Sequence, residues 1–342
     1  MGDRTAVADV SPSGAFTRVP SAFRRVFGDD HPVEPDRYVL HVSLACPWAC
    51  RALAVLKLKG LERAIKVRVT HPVWRRTRPD ADDDAHCGWV FVAPGEHVVN
   101  SAGKGRFVAD ARCDARGSAD ARSVRDLYEA CGVGRDARFT VPLIWDEVKK
   151  TIVNNESADI VRELNSKWNA YCSTPERAAL DLYPEELREK IDEVNAWVYD
   201  KINNGVYKCG FATSQEAYDE AVTELFDALD RVERILSESR YLCGDVFTEA
   251  DVRLFMTLIR FDEVYVVYFK TNKKFIHQYE HMFGYLRELY QMPELAWTVS
   301  MSHIKNHYFA SHPSLNVHAV VPCGPSVDLN APHGRDGPYP RR

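Results

Sequence analysis

No apolar run in this 342-residue chain approaches the ~18 residues needed to cross a membrane. The opening residues, Met1-Gly2-Asp3-Arg4-Thr5, have no apolar core of the kind a secretion signal carries, so a cytoplasmic protein is expected. Neither sign of charge dominates: 44 Lys and Arg stand against 49 Asp and Glu, giving a net charge of -5. That leaves no basic footprint for nucleic acid or for an anionic membrane surface. The nine cysteines (46, 50, 87, 113, 131, 172, 209, 243 and 323) are odd in number and lack paired spacing. They read as free thiols in a reducing compartment and argue against a disulfide framework or a zinc site. No metal centre is expected either. His303 and His307 lie four apart, but no third ligand follows at a usual spacing. Asp82-Asp83-Asp84 reads as a solvated loop, because it lacks the alternating ligands of a calcium loop. No internal repeat is evident.

What the chain does have is the composition of a soluble globular protein, 45% hydrophobic and 27% charged, at a length that suits two domains. Its most informative stretch is Cys46-Pro47-Trp48-Ala49. The apolar run Tyr38–Ala45 precedes it, and Cys50–Lys59 follows as a helix closed by Gly60. Cys46 thus falls where a buried strand turns into a helix. Unpaired N–H groups at a helix start favour a thiolate, and thiolates so placed titrate below ~7.5 against ~8.5 for a free cysteine. Pro47 suits the first turn, where its missing N–H has no partner to lose. Cys50 lies one turn further along the same face and is expected to be packing rather than a resolving thiol.

The order of elements extends this reading. Ile65–Val69 is a second strand, and Ser123–Ala130 a helix. Thr140–Asp146 and Thr151–Val153 form a hairpin, and a helix runs from about Glu156 to Asn165. This β-α-β-α-β-β-α order predicts an α/β thioredoxin-like N-terminal domain over 35–166, after an arm over 1–34 pinned by Phe16, Phe23 and Phe27. Residues 75–122 interrupt it as an expected mobile, polar surface insertion in which Trp89 and Phe91 look tethered. Residues 183–320 read as all-helical. One helix carries Tyr218, Val222, Leu225, Phe226, Leu229, Val232 and Leu236 on one stripe, with a capping box at Thr213–Glu216. Another is capped by Thr248 and Asp251. Trp48 and Trp145 are expected in the core, and 321–342 as an extended tail.

A thioredoxin-like half followed by a helical half is the plan of the glutathione transferases. The chain more closely resembles the glutathionyl-hydroquinone reductases, the Xi class of that superfamily. The stretches that carry the resemblance are Ser43–Ala49, Gly88-Trp89-Val90-Phe91, Thr140-Val141-Pro142, Val153–Ser157, Gly205–Ala212, Gly244–Asp251, His303–Phe309 and Pro322–Pro325. Their joint order is specific where each alone is weak. The resemblance implies that Cys46 is the nucleophile and forms a mixed disulfide with glutathione. It implies that Trp89 and the backbone of Val141 contact glutathione, that Pro142 is cis, and that Glu156 and Ser157 hold the γ-glutamyl end. A carboxylate ligand group would also suit the helix start at Glu156 and Ser157 on physical grounds alone. The hydroquinone pocket would use Tyr207 and Tyr308. The chain departs from the family in having Cys50, where members usually carry His, and in the 75–122 insertion.

The implied reaction is glutathione-dependent reduction of glutathionyl-hydroquinones, with glutathione as co-substrate and no metal or flavin required. The expected assembly is a homodimer. Two readings compete: an Omega-like thiol transferase or dehydroascorbate reductase, which would not need the two tyrosines, and a non-catalytic binding module on the same fold.

Overall fold

Tyr38–Val42 (β1) is buried along its whole length, which is why it reads as a continuous apolar run rather than an alternating one. Pro47–Leu58 (α1) follows, with Pro47 in its first turn. It stops at Lys59, and Gly60 then adopts φ +63°. A side chain at Gly60 would run into Ser173, so both the turn and the close approach require glycine. Ile65–Val69 (β2) pairs parallel with β1. The excursion that comes next holds four two-residue strands: Arg75–Arg76 (β3), Cys87–Gly88 (β4), His97–Val98 (β5) and Phe107–Val108 (β6). These pair as the ribbons β3-β4 and β5-β6. Val124–Ala130 (α2) opens on a reciprocal cap between Ser123 and Asp126. Leu143–Asp146 (β7) lies antiparallel to β1, and Thr151–Asn154 (β8) lies antiparallel to β7. The sheet order is therefore β2-β1-β7-β8, and Ser157–Ser166 (α3) packs near α1. This is the thioredoxin-like arrangement expected from the element order.

This computed structural model describes residues 11, 14–16 and 20–337, so much of the expected arm and the last residues of the tail lie outside it. Two compact units emerge. The first holds Pro20–Leu180 together with Thr298–Pro322. The second holds Asp181–Trp297, the described residues from Cys323 to Gly337, and residues 11 and 14–16. The helix Met301–Ala310 is therefore part of the first unit, although it comes after the helical half in sequence.

Three expectations change. The excursion is not a polar surface feature: Val98, Phe107, Ala109 and Cys113 bury themselves with Val73, Val90 and Val92 against Ala310 and Ala319. Asp84 is not a solvated charge, since its carboxylate meets the buried Arg125 at 2.6 Å. Trp48 is only half-buried, beneath the Arg51 guanidinium at 4.2 Å, whereas Trp145 is fully buried.

Phe27 is buried against Tyr38 and Trp168, with ring centroids 4.9 and 5.1 Å away. In the second unit, Gln215–Glu238 starts one residue later than expected, because Ser214 rather than Thr213 accepts the N–H of Ala217. Glu249–Arg260 is capped by Thr248 and Asp251, and the buried Asp251 carboxylate also accepts from Tyr285 and from the Leu242 N–H. Arg335 anchors the tail by an ion pair to Glu288 at 2.6 Å. No described helix is long and apolar enough to cross a membrane.

Candidate active site

Cys46 is the N-cap residue of α1, with extended backbone at φ -80° and ψ 116°. The helix therefore begins directly after it, and its carbonyl takes the first helical bond from the Cys50 N–H at 3.0 Å. Its thiol is 8% exposed and donates to the Val141 carbonyl at 3.5 Å. Val141 precedes a cis peptide bond to Pro142. The segment before β7 is thus brought alongside the start of α1, where the sheet pairing of β1 and β7 would put it.

A hydrogen-bond network fixes that segment from behind. Tyr128 donates to the Thr140 carbonyl at 3.0 Å. Asn155 donates to the Tyr128 oxygen at 2.9 Å, and accepts the Phe23 N–H at 3.0 Å. Burial pushes the Tyr128 phenol above its ordinary pKa, so it remains a neutral donor. Tyr128 and Asn155 therefore tie the Val141 segment to the entry of α3. Nothing in the sequence pattern singled them out, because their partners lie 12 and 27 residues apart.

Glu156 is the N-cap of α3, and one of its oxygens accepts the Ala158 N–H at 3.1 Å. Its other oxygen accepts from the Ser21 hydroxyl at 2.9 Å. Ser157 is buried in the first turn. Trp89 lies between two aromatic neighbours. Trp74 meets it edge-on at 5.3 Å, and His307 stacks on it at 4.6 Å with 27° between the planes. The His307 ring is held in turn through Nδ1 by the Pro72 carbonyl and the Ser311 hydroxyl, at 2.9 and 3.0 Å.

The two tyrosines fall in different units. Tyr308 is 1% exposed on the Met301–Ala310 helix, edge-on to His307 at 5.1 Å, and thus shares the first unit with Cys46 and Trp89. Its expected place in the helical half is corrected accordingly. Tyr207 belongs to the second unit, buried among Phe16, Phe269 and Tyr265. Cys50 is fully buried and donates to the Leu44 carbonyl at 3.4 Å, and all nine cysteines are unbridged.

Comparison with known proteins bears on this arrangement. Residues 45–167 match the family described as the glutathione S-transferase N-terminal domain, and residues 215–288 match the corresponding C-terminal domain. The chain is 44% identical over 336 residues to glutathionyl-hydroquinone reductase YqjG of Escherichia coli, covering 95% of this chain and 94% of that protein. The crystal structure of glutathione-S-transferase Xi from Phanerochaete chrysosporium is 44% identical with a TM-score of 0.81, covering 93% of this chain and 95% of that one. The glutathione-bound structure of YqjG is 42% identical with a TM-score of 0.79, over 96% of this chain and 94% of that one. On the fold, the Cys46–Val141 geometry and these likenesses, the chain belongs to the glutathionyl-hydroquinone reductases, the Xi class of the glutathione transferases.

Proposed function

We propose that this protein reduces glutathionyl-hydroquinones to hydroquinones at the expense of glutathione, with Cys46 as nucleophile. The observation that supports this most directly is the position of the Cys46 thiol at the start of α1, 3.5 Å from the Val141 carbonyl. Helix N–H groups there stabilise a thiolate, and the backbone of Val141 lies within reach of a peptide ligand attached to that sulfur.

In the first step the Cys46 thiolate attacks the sulfur of the substrate. The carbon–sulfur bond breaks, the Cys46–S–S–glutathione bond forms, and the electron pair leaves with the ring carbon. Departure is easier from the keto tautomer, where that pair becomes an enolate, and protonation then gives the hydroquinone. The ring is reduced by two electrons while the two sulfurs are oxidised. A second glutathione thiolate attacks the mixed disulfide and releases glutathione disulfide and the Cys46 thiolate. Tyr207 and Tyr308 are proposed as phenol donors to the developing enolate oxygen. Trp89, Val141, Glu156 and Ser157 are proposed to hold the glutathionyl moiety, with a ligand carboxylate at the start of α3. A homodimer in the cytoplasm belongs to the same reading.

The test is mass spectrometry of the enzyme mixed with a glutathionylated menadiol. A glutathione adduct on Cys46 together with free hydroquinone is expected. An enzyme that exchanges disulfides but releases no hydroquinone would favour the Omega-like thiol transferase.

A further inference from the structure

Apart from the residues given roles above, though on the same helix as His307 and Tyr308, the structure assembles a mixed Asp, Cys and His cluster. Asp110 and Cys113 lie at the two ends of one tight turn, in which the Cys113 N–H donates to the Asp110 carbonyl at 3.1 Å. The Asp110 side chain accepts the Arg112 N–H at 2.9 Å, which fixes its direction within the turn. His303 comes from the first turn of the Met301–Ala310 helix, whose cap residue Ser300 accepts the His303 N–H. His303 Nε2 lies 3.0 Å from Asp110 Oδ2 and 4.0 Å from Cys113 Sγ. Cys113 Sγ lies 3.9 Å from Asp110 Oδ1. One ligand atom from each residue falls within 4.8 Å of the others.

We propose that Asp110, Cys113 and His303 form a site for one zinc-class divalent cation. Tetrahedral zinc with bonds of ~2.0–2.3 Å sets its ligand atoms roughly 3.3–3.6 Å apart. Cys113 Sγ and His303 Nε2 are 4.0 Å apart, and the two Asp110 oxygens lie 3.0 Å from Nε2 and 3.9 Å from Sγ, so a small rotation of the Asp110 carboxylate brings one oxygen into a set of three near that spacing. A thiol, an imidazole and one carboxylate select zinc or its transition-metal neighbours over magnesium and calcium, which take oxygen ligands. Coordination exchanges the Cys113 proton for the metal, giving a thiolate complex and one released proton. Thiolate and carboxylate together balance the two positive charges, so the buried complex is neutral. His303 Nδ1 has no hydrogen-bond partner among the described residues, which leaves the ring free to shift its proton there and present Nε2 to the metal. Cys113 and His303 are buried, while the Asp110 side chain is 39% exposed. Asp110 is therefore the entry side, with room for a water as fourth ligand. Arg112 Nε, 3.8 Å from Asp110 Oδ2 on a partly exposed side chain, is the cation that the metal would displace. Sequence spacing could not reveal this site, because His303 lies 190 residues from Cys113.

Such a metal would clip the excursion after β2 to the helix that presents His307 and Tyr308. The experiment uses the full chain carrying Cys46→Ser, which removes a competing thiol, after stripping with a chelator. Cobalt(II) is titrated in as a spectroscopic probe and then displaced with zinc. One equivalent should bind with the charge-transfer absorption of a cobalt–thiolate bond. Binding should be at least about tenfold weaker in Cys113→Ala and in His303→Gln. Absence of the thiolate band, or undiminished cobalt affinity in folded Cys113→Ala, overturns the proposal. Should Cys113→Ala not fold, Asp110→Asn at the exposed ligand decides in its place: it should also weaken cobalt binding about tenfold, and equal affinity overturns the assignment.

Discussion

His307 lies face to face with Trp89, ring centroids 4.6 Å apart, and its Nδ1, at the edge of the ring, is held by Pro72 and Ser311. Trp89 is thereby positioned by a residue more than 200 positions later in the chain. Removing the imidazole should loosen the indole. Aromatic pairs contribute about 0.5–1.5 kcal/mol beyond their burial, and the lost hydrogen bonds add to that. His307→Ala is expected to destabilise the protein by roughly 2 kcal/mol in urea unfolding. It should also raise KM for a glutathionylated substrate more than it lowers kcat. An unchanged KM in a folded His307→Ala enzyme would mean that the stack does not serve Trp89.

Cys46→Ala is expected to abolish hydroquinone release, leaving less than about one part in 10³ of the wild-type rate, as for other nucleophile deletions. Cys46→Ser should still bind glutathione, which is measurable by calorimetry. Cys50→Ala should keep at least half the turnover and the same dependence on glutathione, because the Cys50 thiol is committed to backbone carbonyls. A Cys46–Cys50 disulfide in the oxidised protein would contradict this.

The phenols are expected to act on one step only. Tyr207→Phe and Tyr308→Phe should each slow glutathionyl-hydroquinone reduction by about 10²–10³, the cost of losing an oxyanion donor. Disulfide exchange at Cys46 develops charge on sulfur and should be almost unaffected. The double variant should lose less than the sum of the two. Wild-type rates in both single variants would make the tyrosines structural.

The excursion after β2 should not be removable. Deleting residues 92–118 takes away Val92, Val98, Phe107, Ala109 and Cys113 from one buried cluster. Phe107→Ala alone is expected to cost about 3 kcal/mol, at the low end for a buried phenylalanine because the ring is 8% exposed. A deletion variant that melts with the wild type would show that this cluster contributes nothing.

Stability should fall on acidification from pH 7 toward 4. Burial lowers His41 to about 3, and His71 and His312 each to about 4. All three are neutral in the fold, but titrate near 6.5 once unfolded, so between those values the unfolded chain binds more protons. Their contribution is complete above about pH 6.5 and is lost as pH falls through the window, by up to about 1.4 kcal/mol per pH unit for each. Urea unfolding at pH 7 and pH 5 checks this, and equal stabilities would count against it. His41→Gln should flatten the slope, provided the amide still accepts the Ser118 N–H that His41 Nε2 accepts at 3.1 Å.

The sheet and the strand-to-helix corner at Cys46 were legible because they are local. Tyr38–Val42 is apolar throughout, Pro47 marks a helix start, and Ser123 and Thr248 cap the helices that follow them. The excursion was misread for the opposite reason. Val98, Phe107, Ala109 and Cys113 follow neither a helical nor a strand period, and what buries them includes Ala310 and Ala319. Asp84 reads as solvated within its acidic run, but its partner Arg125 comes from a helix about forty residues later. The support given to Trp89 by His307 and to the Val141 segment by Tyr128 depends on pairings that no spacing rule encodes.

The return of Thr298–Pro322 to the first unit also governs how this protein can be divided. No single cut yields two self-sufficient pieces. A fragment ending near residue 180 would lack Ala310 and Ala319 from its core, and a fragment starting there would carry that segment without the strands it covers. The same interleaving orders biosynthesis. A ribosome must deliver the whole of Asp181–Trp297 before the unit holding Cys46 receives its last helix. Completion of that unit is therefore a late event in the life of the nascent chain.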